Sequence, residues 1–291
     1  MRSPFKEQYA QYLQHIESYL DGCFAYDVPQ KLLLESMRYS LLAGGKRLRP
    51  IFVYDFCRMC GGDWGQAAPF AAALEMVHTY SLIHDDLPCM DDDDYRRGRL
   101  TNHKVYGEAI AVLAGDGLLT AAFSQLAKAP YSAQTRIRAT QILSECAGDL
   151  GMVGGQVLDM QSEDRQCTEQ EVLDIQSRKT GALIRAACML GVLAGGGSEG
   201  QLNAAAKFAD HLGLAFQIRD DMLDVIGDAR ELGKAVGVDE NKNTFIRLYG
   251  LERCDQLVLE RTENAITILK KNFASTAFME SLATWLTSRT A

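Results

Sequence analysis

Six aspartates fall within ten residues, at Asp85, Asp86 and Asp91 to Asp94, and Arg96 and Arg97 follow at once. Carboxylates this crowded repel one another and drive their pKa values upward unless a cation sits among them. The residues before them do not read as a solvated tail. Leu74, Val77, Tyr80, Ser81, Leu82 and His84 keep a helical period with one buried face. A rigid helix ending in a carboxylate cluster suits a hard cation that takes oxygen ligands. A second set lies far downstream. Gln217, Asp220, Asp221 and Asp224 are spaced i, i+3, i+4 and i+7, so a helix would place them on one face over about 10 Å. One Asp-rich stretch alone is most often a solvated surface. Two acidic helix faces, with basic motifs around them, predict one metal site held from two sides.

The basic motifs suit an anion. Gly44 to Pro50 reads GGKRLRP. Its glycines allow close backbone approach, and Lys46, Arg47 and Arg49 can meet phosphate oxygens. The bland reading, a basic corner between helices, stays open on these residues alone. Lys179, Thr180 and Gly181 precede the apolar run LIRAACMLGVLAG; facing a cavity and lying on the surface are both compatible with that. Asp116, an unusual charge in an apolar stretch, is either a partner of the site or a capped helix start after Gly115.

The elements that must position these groups read as helices. The last of six prolines is Pro130, so the remaining half of the chain carries no proline to break a helix. Helical periods run over Phe5–Leu20, Leu32–Leu42, Ile51–Cys60, Gln66–His84, Glu108–Leu126, Gln134–Leu150, Gln201–Val225, Thr244–Phe273 and Thr276–Arg289. Thr168 to Glu171 is a capping-box pattern that starts a further long helix. Gly151 to Asp159 places glycines where helices would approach closely, with Gln156 and Asp159 at i, i+3. Leu87 to His103 and Gly227 to Asn243 read as loops. No strand pattern supports a phosphate-binding loop of the P-loop or dinucleotide kind. No composition break marks a linker, so 1–291 is expected to be a single domain.

A net charge of -8 and a pI of about 5.2 argue against a nucleic-acid partner. They leave an anionic substrate open, because local cations and a metal invert the sign of a pocket. Eight cysteines without regular spacing predict free thiols and a cytoplasmic location. The first twenty residues lack an apolar signal core, and no run is expected to reach the length of a membrane span.

In their order along the chain, GGKRLRP, EMVHTYSLIHDD, DDLPCMD, RRG, GGQVLD, KTG, FQIRDD and DDMLD resemble the trans-isoprenyl diphosphate synthase family over nearly the whole length. The longer spacing of the first motif is that of bacterial farnesyl and plant-type geranylgeranyl members. The resemblance implies an all-α fold, a single large bundle of long, mostly antiparallel helices around a central cavity, with the two Asp motifs facing each other at its mouth. It implies condensation of isopentenyl diphosphate with an allylic diphosphate, with about three Mg²⁺ per site and a homodimer. By position, Asp85, Asp91 and Asp220 would hold Mg²⁺, supported by Asp86, Asp221 and Asp224. Arg96, Lys179 and Lys234 would complete the allylic diphosphate site. Lys46, Arg49, His78 and Arg97 would bind isopentenyl diphosphate, and Lys242 would lie near the site. Thr180 and Gln217 would stand beside the developing allylic cation. Tyr80 and Ser81 would lie beneath it and set chain length, with Tyr80 favouring a fifteen-carbon product.

The chain departs from the family pattern at Leu100, where Pro is usual, in a shorter stretch from Asp239 to Thr244, and in the weakly basic TSRTA at 287–291. Lid closure and isopentenyl diphosphate affinity are the properties these touch. Rival readings are a geranylgeranyl synthase, a class I terpene cyclase and a non-catalytic partner subunit. A cyclase generally lacks GGKRLRP, and partner subunits usually lose one Asp motif.

Overall fold

The structure is a computed structural model that describes residues 3–163, 165–226 and 243–289. Lys234, Asp239 and Lys242 lie outside the described residues. The described chain is almost wholly helical and divides into two compact units, Met1–Tyr54 with Asp63–Thr140, and Asp55–Gly62 with Gln141–Ala291.

The first unit contains α1 (Pro4–Gly22), α2 (Lys31–Leu41), the first half of α3 (Leu48–Met59), a 3₁₀ turn (Trp64–Ala67), α4 (Ala68–Asp85), α5 (Asn102–Tyr106) and α6 (Glu108–Lys128). Ser3 caps α1 by accepting the Lys6 amide, and Pro4 occupies the first turn, where its missing N–H costs nothing. α1 buries Tyr12, Ile16 and Leu20 completely. The Tyr12 ring meets Trp64 edge-on at 4.9 Å, and Tyr54 packs on the same indole at 5.3 Å. α4 is apolar on every side through Ala71, Ala72, Ala73 and Leu74, and it is buried accordingly.

α6 packs along α4. A Cβ at Gly115 would fall 2.0 Å from Nε2 of His84, so only glycine fits there. The helix expected over Glu108–Leu126 is present, and of the two readings left open for Asp116 the helix start fails. α6 runs unbroken through Gly115, and Asp116 is an exposed mid-helix residue rather than a helix start. α6 is also long and apolar enough to cross a membrane by length and composition, against the expectation that no run reaches that length. Its small and apolar face is used against α4.

The second unit carries α7 (Ala133–Ala147, entered from the first), α8 (Met152–Met160), α9 (Glu169–Gln176), a π turn (Ser177–Gly181), α10 (Ala182–Ala194), α11 (Glu199–Ile226), α12 (Phe245–Asn272) and α13 (Ala277–Ser288). The capping box is formed: Thr168 accepts the Glu171 amide, and the Glu171 carboxylate accepts the Thr168 amide at 2.8 Å. The α11 and α12 helices pack side by side over a core of Ile218, Met222, Phe245, Cys254 and Val258. α8 presses on the π turn at Gly155, where a Cβ would lie 2.3 Å from the Lys179 amide nitrogen.

Candidate active site

α4 delivers the first carboxylate cluster at its C-terminal end. Pro88 turns the chain, and the Met90 amide donates to the Leu87 carbonyl at 2.8 Å. The Asp91 amide then donates to the Asp85 carbonyl at 2.9 Å, so two residues six apart in sequence become neighbours. The stretch expected to be loop from Leu87 to His103 contains more order than that. β1 (Tyr95–Arg96) pairs antiparallel with β2 (Arg99–Leu100), joined by Arg97 and Gly98. Both joining residues have positive φ, 54° and 73°, the two-residue turn that matches strand twist. Gly98 adopts it freely. Arg97 is held in it by a guanidinium that donates to the Gly44 carbonyl. Each strand is only two residues long, too short to leave a period-2 pattern.

The hairpin brings Arg96 onto the cluster. Its Nε donates to Asp86 Oδ1 at 2.5 Å and its Nη2 to Asp93 Oδ2 at 3.2 Å. Asp86 is only 3% exposed. Burial pushes its carboxyl up to about 6, with Asp93 and Asp85 adding to the rise and Arg96 opposing it. Farther out, Lys104 pairs with Asp94 at 2.6 Å. Asn102 fixes the end of the hairpin to α2, accepting from the Ser36 hydroxyl at 2.8 Å and donating to Ser40 Oγ at 2.9 Å.

The GGKRLRP corner separates its three cations. Arg47 is not left for a phosphate, contrary to the sequence expectation for it. Its guanidinium is buried, donating to Glu75 at 2.6 Å, Glu17 at 2.7 Å and the Leu41 carbonyl at 2.7 Å. Two acidic residues on α1 and α4 claim it, which no local pattern announces. Lys46 is exposed, and its carbonyl accepts from the Tyr9 hydroxyl at 2.6 Å. Burial lifts Tyr9 to about 12, so it stays a donor. Arg49 is different again. Its Nε is buried with no hydrogen-bond partner. Burial lowers Arg49 to about 10, Glu75 works against that and Arg97 adds to it. His78, half-buried on α4, is held well below the usual imidazole range by burial and then by Arg49 and Arg97. Cations that depress one another in a half-buried place form a local positive field suited to an anion.

Tyr80 is buried one turn and a half before Asp85. Its ring meets His84 edge-on at 5.7 Å, and His84 Nε2 lies 3.1 Å from the Val112 carbonyl, in the space that Gly115 leaves. His84, Val112 and Gly115 thus brace Tyr80. The glycine within an apolar run was the available signal for this contact. Ser81 donates to the His78 carbonyl at 3.0 Å, within its own helix.

In the second unit the second cluster is built into a polar chain. The Thr180 hydroxyl donates to Gln217 Oε1 at 3.2 Å. The Gln217 amide donates to Asp221 Oδ1 at 3.0 Å, and Asp221 Oδ2 accepts the Phe245 amide at 2.8 Å. Asp221 therefore caps the first turn of α12, where a negative charge is favoured. Asp224 is buried on the same face. Asp220 pairs with Arg289. Lys179 sits in the π turn and pairs with Asp159 of α8 at 2.6 Å. A π turn inside a helix is frequently a functional feature. The sequence offered Asp159 without a role and gave Arg289 none; both contacts span long stretches of chain.

Among the described residues no three His, Cys, Asp or Glu side chains form a ready-made ligand set. The raised Asp86 and the crowding at 91–94 point to a cation, which would relieve the repulsion there.

The polyprenyl synthetase family model matches residues 30–284, across both units, and the chain belongs to the polyprenyl synthetase family. It is 43% identical to a farnesyl diphosphate synthase of Micrococcus luteus, over 91% of each chain. It is 47% identical to the chloroplast geranylgeranyl pyrophosphate synthase 7 of Arabidopsis thaliana, over 80% of this chain and 69% of that one. An FPP/GFPP synthase from Zymomonas mobilis matches with a TM-score of 0.89 and 33% identity, covering 99% of this chain and 100% of the other. The all-α fold expected from the sequence is the fold of this family.

Proposed function

We propose that the protein condenses isopentenyl diphosphate with dimethylallyl and then geranyl diphosphate to form farnesyl diphosphate. The observation that carries this reading is the positive field of Arg49 and Arg97 around His78, with a buried Arg49 Nε awaiting an acceptor, beside an aspartate motif. Lys46, Arg49, His78 and Arg97 bind the diphosphate of isopentenyl diphosphate. His78 does so as a neutral imidazole. Arg96, oriented by Asp86 and Asp93, and Lys179, oriented by Asp159, bind the allylic diphosphate together with Lys234. Lys242 belongs to the same machinery. Asp85, Asp91 and Asp220 hold Mg²⁺, about three ions per site, and Asp86, Asp221 and Asp224 support them. Bound Mg²⁺ acts as a Lewis acid on the leaving diphosphate.

The chain supplies charge and orientation rather than a nucleophile. Negative charge builds on the departing diphosphate as its C–O bond ionises, and preorganised Arg and Lys stabilise it most at that point. The Thr180 hydroxyl has spent its proton on Gln217, so its lone pairs are left for the allylic cation. The double bond of isopentenyl diphosphate attacks that cation. A proton is then lost to the released diphosphate. Tyr80, braced by His84, limits chain length, and Ser81 lies next to it.

The same reading takes 1–291 as a single working domain, a homodimer and a cytoplasmic protein. The match of one family model across both units supports the first, and eight free thiols support the last. A geranylgeranyl product is the second reading, favoured by the 47% identity to the Arabidopsis enzyme.

Product analysis by mass spectrometry tests both. The protein is incubated with Mg²⁺, isopentenyl diphosphate and, in turn, dimethylallyl, geranyl and farnesyl diphosphate. A fifteen-carbon end product, with farnesyl diphosphate refused as primer, is expected. Efficient extension of farnesyl diphosphate overturns the product, and no condensation at all overturns the activity. Tyr80→Ala is expected to lengthen the product; an active variant that still stops at fifteen carbons removes Tyr80 from that role.

A further inference from the structure

Arg289 follows α13 and is far from α11 in sequence, yet its guanidinium lies on Asp220. The Arg289 side chain is only 12% exposed. It lies over the Phe216 ring at 4.6 Å, and its Nε is buried with no hydrogen-bond partner. Its carbonyl accepts from Arg219 Nε at 2.8 Å, so a second cation stands close by. Arg219 has its own carboxylate, Asp255, at 3.6 Å. Asp220 is thus the carboxylate that balances Arg289 among the described residues. Asp221, its neighbour, is committed to Gln217 and the Phe245 amide, so it cannot take over that balance.

We infer that Arg289 is a placeholder cation that occupies Asp220 until a divalent cation displaces it, which couples metal binding to release of Arg289 from α11. The inference rests on the assignment of Asp220 to Mg²⁺. The physical argument is a competition. A carboxylate whose charge is drawn to a divalent metal holds a guanidinium less tightly, and a guanidinium left buried without an anion is costly. Metal binding at Asp220 therefore loosens the hold on Arg289, which moves out toward water. Each unit of metal affinity is reduced by the stability of the pair it breaks.

The test is Mn²⁺ binding in the presence of inorganic diphosphate, followed by calorimetry and by the loss of the free-ion paramagnetic resonance signal. Arg289→Gln is expected to tighten the Mn²⁺ dissociation constant about three- to tenfold, with Arg289→Lys in between. Hydrogen exchange on the native protein provides a reading that needs no variant. Amides 284–289 are expected to lose protection when Mn²⁺ and diphosphate are added. Equal Mn²⁺ affinity in native protein and Arg289→Gln, or protection at 284–289 that holds or rises on metal binding, overturns the placeholder while leaving Asp220 as a ligand. Absence of Mn²⁺ binding in every form overturns the metal assignment and the inference with it.

Discussion

The two aspartate clusters are made of the same residue type and are built in opposite ways. The first stands at a helix end and in the turn after it. Asp91 to Asp94 are exposed, and the counter-charges, Arg96 and Lys104, come from a short hairpin and helix just downstream. The second lies inside the 28-residue α11, and its partners come from that helix and from distant elements: Gln217, itself bonded to Thr180, on one side of Asp221, the start of α12 on the other, and Arg289 on Asp220. Carboxylates in the first cluster are crowded and under-compensated. In the second, Asp220 and Asp221 each hold a partner. A cation should therefore stabilise the first cluster, whereas at the second it must compete with contacts that already hold the fold together.

Three experiments sharpen or break this contrast. The largest effect is expected in turnover. Asp91→Ala should lower kcat by roughly 10²- to 10³-fold, the loss typical of one group that stabilises transition-state charge. Its unfolding temperature without metal should move by no more than about 1 °C, because an exposed, repelled carboxylate is all that is lost. A large drop in melting temperature would show that the first cluster is structural after all.

Next comes Asp221→Ala, which strands the Gln217 amide and the buried Phe245 amide. Each such group costs about 1–3 kcal/mol, so the melting temperature should fall by several degrees in addition to the loss of activity. Thermal denaturation of the metal-free protein checks this, and a stability equal to that of Asp91→Ala would erase the distinction between the clusters.

The smallest effect is in pH dependence. Asp86 moves from 3.8 to about 6 in the fold, so between those values the folded chain binds its proton more tightly than the unfolded chain. The contribution of Asp86 to stability is full below about 3.8 and is lost as pH rises to about 6. Asp86→Asn, which mimics the protonated acid, should flatten the metal-free melting temperature over that window relative to native protein. An unchanged slope would mean that Arg96 keeps Asp86 ionised throughout.

Much of the site was legible before any coordinates. The helical periods located α1, α4, α11 and α12 to within a few residues. The capping box at Thr168 formed as written, since it depends on four adjacent residues. Asp221, Gln217 and Thr180 could be nominated together because two of them share a helix face. The hairpin at Tyr95–Leu100 escaped because two-residue strands leave no period.

What the sequence by itself determined is therefore the chemistry carried by local spacing: a glutamine and three carboxylates at i, i+3, i+4 and i+7, cations between glycines and a proline, and helices long enough to hold them. Only the tertiary structure decided which charges remain available. Arg47 and Arg49 are two residues apart in one motif, yet Glu17 and Glu75 consume the first and leave Arg49 Nε without an acceptor. Asp220 and Asp221 are adjacent, yet one meets Arg289 and the other the start of α12. The strength of a charge depends on burial and on partners brought from far along the chain, and neither is a property of neighbouring residues.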